Sequence, residues 1–128
     1  MITSLTAATF ADFIAEAEVA VVHFDARWNT IREKARLQMQ IAAERLGGRA
    51  RFAEIDIDDC PELARAAEVG NVPAISYYRQ GQRIATLVGT QDVLARTNRV
   101  LVHLPIGPND DTTPATARQS WLRWWWWW

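Results

Sequence analysis

Six consecutive residues, Val19-Ala20-Val21-Val22-His23-Phe24, form a β-prone run with one polar side chain. A strand with one face in water alternates apolar and polar residues, whereas an unbroken run belongs to a strand covered on both faces. Such a strand needs helices above and below it, and the flanking sequence offers them. Residues 6–18 place Phe10, Phe13, Ile14 and Ala17 on one helical stripe. Beyond the run, Ile31, Ala35, Met39, Ala42 and Leu46 recur at steps of four, four, three and four. Gly47-Gly48 is then the expected left-handed C-terminal stop.

The same alternation continues. Arg51–Ile57 sets Ala53, Ile55 and Ile57 on one face, as in a strand. Cys60-Pro61-Glu62-Leu63 has the signature of a helix start, with proline at the first helical position and an acid in the first turn. This short helix is expected to end near Gly70. Ala74–Arg79 and Gln82–Val88 are β-prone runs separated by Gln80-Gly81, which predicts a two-residue hairpin. A final helix carries Val93, Leu94, Thr97, Val100, Leu101 and Leu104 on one side. With a short first strand at Ile2–Ser4, the order is β-α-β-α-β-α-β-β-α. The class is α/β, with a central sheet of parallel strands completed by an antiparallel C-terminal hairpin and covered by helices on both faces. The domain is expected over residues 1–104. Residues 105–128, with Pro105–Ser120 poor in large apolar groups, read as a disordered tail.

Composition narrows the function. Fourteen basic and fifteen acidic residues leave a net charge of −1, which gives no electrostatic case for nucleic acid. A single cysteine, Cys60, excludes an internal disulfide and an all-thiolate metal site, and His23 and His103 form no dense ligand cluster. No metal or other cofactor is expected. Asp56-Ile57-Asp58-Asp59 opens like a calcium loop, but Pro61 stands at the glycine position and Ala67 at the final ligand position, so that reading is rejected. The first ten residues lack a secretory pattern, and no apolar run approaches the 18 residues of a membrane span. The expected location is the cytoplasm. Trp124–Trp128 are five adjacent tryptophans. They point in all directions on any regular element, so they are set aside from the fold, and they favour association or a bilayer interface if exposed.

Chemistry concentrates where the buried run meets the second helix. Asn29 is a good helix cap, and Thr30-Ile31-Arg32-Glu33 has the spacing of a capping box. The free N–H groups there, with Arg32, are an alternative anion site. Cys60 precedes a helix whose dipole favours a thiolate, while Asp58, Asp59 and Glu62 oppose it. His23 reads as a structural histidine, with pH sensitivity as its lesser reading.

Two segments carry a resemblance. "VVHFDARWNTIR" (residues 21–32) and "FAEIDIDDCPELARAAEVGNVPAISYYRQGQRIATLVG" (residues 52–89) resemble the thioredoxin family, over about residues 1–104. The resemblance implies a thioredoxin fold, a cis-proline at Val72-Pro73, and glycines of the hairpin and groove at Gly81 and Gly89. It implies that Asn29 stands where the family has its nucleophilic cysteine and Arg32 where it has the resolving one. His23 falls at the position of the family's buried Asp, and Leu37 at that of its helix-kinking proline. Thiol–disulfide exchange needs a thiolate, which neither Asn nor Arg supplies. The family's role in cell redox homeostasis therefore does not transfer through the usual motif. What remains is a peptide-binding groove of Trp28, Asn29, Thr30, Ile31, Arg32, Val72, Pro73 and Gly89. The expected function is a redox-inactive binding or chaperone-like module for protein or peptide clients. The alternative is an oxidoreductase acting through Cys60 alone.

Overall fold

A computed structural model describes residues 2–107. In chain order the elements are β1 (Ile2–Ser4), α1 (Phe10–Glu16), β2 (Val19–Asp25), α2 (Arg32–Leu46), β3 (Arg51–Asp56), α3 (Pro61–Ala66), β4 (Ala74–Arg79), β5 (Gln82–Val88) and α4 (Val93–Leu101). The five strands form one sheet in the order β1-β3-β2-β4-β5. β1 and β2 run parallel to β3; β4 is antiparallel to both β2 and β5. The expected α/β class, mixed sheet and thioredoxin fold are all present.

The unbroken apolar run explains the centre. All seven residues of β2 are buried. Val19 and Val21 face Met39, Ala42 and Leu46 of α2 and Val93 and Val100 of α4. Ala20, Val22 and Phe24 face the opposite layer, with Phe13 of α1 and Ala64 of α3. Full burial of each large apolar side chain contributes about 1.5–3 kcal/mol, so the two layers together anchor β2 more firmly than any local preference could.

The hairpin matches its expected bounds at both ends. Gln80 and Gly81 both take positive φ (52° and 82°), the type I′ geometry that suits the strand twist. Two helix ends differ from expectation. Gly47 is not left-handed: its φ is −60°, and α2 closes when the amides of Arg49 and Ala50 both donate to the Leu46 carbonyl. α3 stops at Ala66, before Gly70, because Glu68 takes a φ of 62° and turns the chain. After α4 the chain turns back on itself. Ile106 packs against the α2–α4 core, and Arg96 donates to the Gly107 carbonyl through Nε (3.2 Å) and Nη2 (3.0 Å). Most of the expected tail, residues 108–128 with the tryptophan run, lies outside the described residues.

Candidate functional site

The C-terminal end of β2 delivers the chain into residues 26–31, which connect to α2. The Asn29 amide donates to the Ala26 carbonyl (3.0 Å) and the Arg32 amide to that of Asn29 (3.3 Å). The expected capping box does not form. The helical residues begin at Arg32 with Ile31 at the cap and no side-chain cap bond. Thr30 therefore lies outside the helix, and Glu33 turns to Arg36 (3.2 Å) instead of reaching back. Asn29 does act locally, accepting from the Ile31 amide at 3.3 Å.

Trp28 is 63% exposed and Ile31 50% exposed. The Trp28 indole is steered by a bond from Nε1 to Asp58 Oδ2 (3.0 Å). It forms one wall of a depression of about 340 Å3 whose other walls include Ile57, Val69 and Val72. The Val72–Pro73 peptide is cis. The Gly89 amide donates to the Pro73 carbonyl at 2.7 Å, joining the loop to the end of β5. Gly89 holds a φ of 96°, open to glycine and strained for other residues. Trp28 and Val72 thus share one depression, while Pro73 is buried beneath the loop and tied to Gly89 through its carbonyl.

Arg32 points elsewhere. It lines a separate cavity of about 390 Å3 with His23, Asp25, Arg36 and Glu54. The floor of that cavity holds a feature absent from the expected site. His23 Nε2 lies 2.7 Å from Asp25 Oδ2, and both residues are buried. Asp25 Oδ1 accepts from the Ala26 amide and from Asn29 Nδ2, each at 2.8 Å. Burial holds the His23 imidazole below its ordinary pKa, against the opposing pull of Asp25. The sequence signal for this pair is its spacing. His23 and Asp25 are two apart on a strand and so share one face.

Cys60 sits before α3 as expected, yet its 5% exposure places it in the core layer that includes Leu5, Phe24 and Ile55. Leu37 is exposed on an uninterrupted α2. Among the described residues no group of His, Cys, Asp and Glu is arranged to hold a metal ion, and no helix is long and apolar enough to cross a membrane.

An α/β domain with this strand order and a cis-proline loop beside a helix start defines a recognisable class. The thioredoxin family profile matches residues 1–99, and the chain belongs to the thioredoxin family. It is 37% identical to mouse thioredoxin over 38 residues, 30% of this chain, and spans only 36% of that relative's length. Rabbit thioredoxin is 34% identical over a stretch of the same length. Among solved structures, a mutant thioredoxin from Halobacterium salinarum superposes with a TM-score of 0.70 at 23% identity, covering 83% of this chain and 93% of that one. Mitochondrial thioredoxin 3 from Saccharomyces cerevisiae, in its oxidised form, gives 0.69 at 23% identity, with 80% and 95% covered.

Proposed function

We propose that this domain binds extended, apolar polypeptide segments in a thioredoxin-type groove without thiol–disulfide exchange. The observation that carries the reading is the exposed Trp28, which shares a depression with Val72 of the cis-proline loop in a chain that carries Asn29 and Arg32 in place of a thiol pair. A client strand would lay its backbone along the Val72 edge and an apolar side chain against the indole, the familiar logic of strand addition. Asn29 and Arg32 cannot form a mixed disulfide, so release would follow equilibrium dissociation. Catalysis through Cys60 is disfavoured by its burial, since a reactive thiol needs access.

Two measurements test the reading. The wild-type domain should fail to reduce insulin disulfides, while Asn29→Cys/Arg32→Cys gains activity. Reduced, carboxymethylated insulin B chain should bind the wild type in calorimetry, and Trp28→Ala or Val72→Asp should weaken it about tenfold or more, as for a central aromatic contact. Insulin reduction by wild type that disappears in Cys60→Ser, or binding indifferent to both groove substitutions, overturns the proposal.

A further inference from the structure

We propose that residues 121–128 of this chain, WLRWWWWW, occupy the Trp28–Val72 depression of their own domain and compete with clients for it: after α4 the backbone runs back along the helix toward the groove, with Arg99 Nε on the Pro105 carbonyl (2.7 Å) and Arg96 Nη2 on that of Gly107 (3.0 Å). The proposal deepens the groove reading above and rests on it.

Short-range bonds build the reversal. His103 takes a φ of 64°, the left-handed turn that ends many helices. Its amide donates to the Val100 carbonyl (3.1 Å), and the Leu104 amide donates to that of Arg99 (2.8 Å). Ile106 then packs against the α2–α4 core. As residue number rises from 105 to 107, the partner on α4 steps back from Arg99 to Arg96, about one helical turn. This direction leads to the start of α4, where Asp92 caps the helix. Three residues before that cap lies Gly89, whose amide holds the Pro73 carbonyl. Arg96 and Gly89 are at most about 17 Å apart, one helical turn plus three extended residues. Residues 108–120 can span up to about 45 Å, so the segment from Trp121 onward reaches the depression.

The segment also matches the depression in chemistry. Trp28, Ile57, Val69 and Val72 give it apolar walls. An extended chain presents alternate side chains to one face. In the tryptophan run each slip of two residues, from Trp124 to Trp126 to Trp128, offers the same indole, so several registers can bind. Residues 112–128 hold Arg118 and Arg123 and no acid. Beside the Trp28 wall stand Asp58, which accepts from the indole, and Asp59, 62% exposed and paired with Arg27 only at 3.6 Å. The tether sets an effective concentration on the order of millimolar, which favours the intramolecular contact over one with a second copy at ordinary protein concentrations.

The test compares full-length wild type with a full-length variant carrying Trp124→Ser through Trp128→Ser. By NMR, the backbone amides of Gly70, Asn71 and Val72 and the Trp28 indole N–H should differ between the two proteins. The wild-type positions should stay constant on dilution by about tenfold, as an intramolecular contact requires. Carboxymethylated insulin B chain should bind the serine variant about fivefold or more tightly than wild type, the release expected once the effective concentration exceeds the tail's own dissociation constant about fourfold. Groove signals that ignore the replacement overturn the proposal, even where phosphatidylcholine vesicles bind the tail. Signals that move on dilution place the tail in a second copy and overturn it too. Equal B-chain affinity for the two proteins overturns the competition and leaves the client reading standing. If the groove signals follow the tail but the B chain binds neither protein, the client reading fails and the tail contact stands.

Discussion

Replacing Asp25 with alanine removes one acceptor set from three donors. Two of them have nowhere to go: His23 is 2% exposed and Ala26 1% exposed. A buried donor left without a partner costs about 1–3 kcal/mol. Asn29 is part-exposed and can turn to water, and loss of a buried carboxylate returns some desolvation energy. The expected cost of Asp25→Ala is therefore about 3 kcal/mol. Asp25→Asn keeps the shape and one acceptor for Ala26 and Asn29. Its amide can donate to His23 once the ring shifts its proton to Nδ1, so about 1 kcal/mol should be lost. Urea unfolding followed by far-UV circular dichroism measures both. With a slope of about 2 kcal/mol/M, the alanine variant should move the midpoint down by about 1.5 M, with the slope unchanged. Equal losses for the two variants, or a loss below about 0.5 kcal/mol for alanine, would refute the view that this carboxylate ties residues 26–31 to the sheet.

Further outcomes follow from the same structure. His23 has a lowered pKa when folded, so the unfolded chain binds the proton first; stability should fall as pH drops below 6.5 toward the folded value, and His23→Gln should flatten that slope in urea titrations. Tyr78 is raised above 10.0 by burial, so stability should fall as pH rises past 10.0, and Tyr78→Phe should reduce that alkaline loss. Cys60 should react with an aromatic disulfide reagent only as fast as the domain opens, and at once in denaturant, because its thiol is buried. Gly89→Ala should cost about 1–2 kcal/mol through its φ of 96° alone, since no atom lies within 4 Å of the added methyl; thermal unfolding reads it.

The legible parts of this molecule are those set by periodicity. The run at Val19–Phe24 predicted a strand covered on both faces, and the Gln80-Gly81 pair predicted a turn that closes with positive φ at both residues. The capping box at Thr30–Glu33 misled because its spacing is local, whereas the helix start is set by tertiary contacts. Asp25 draws Asn29 inward and Glu33 finds Arg36, which leaves Thr30 before the cap. The grouping of Arg32 with Trp28 failed for a related reason. Trp28 lies in the connection before α2, where its indole bonds Asp58, whereas Arg32 opens the helix itself, so the first lines the groove and the second the His23–Asp25 cavity. Asp25 itself was readable only as part of a pair, through its two-residue spacing from His23 on a buried strand.

The central place of β2 also bears on how the chain acquires its shape during synthesis. Its two neighbours are β3, which begins at Arg51, and β4, which begins at Ala74. A nascent chain that ends before residue 74 presents β2 as an open edge, with its backbone N–H and C=O groups unpaired on the side that β4 later covers. Closing the β2–β4 ladder also carries the entropy of a loop of about 50 residues, roughly 3.5 kcal/mol by the logarithmic scaling with length. The most apolar strand of the domain is thus made early and completed late. The interval between those events is the time in which the emerging chain most needs a chaperone of its own.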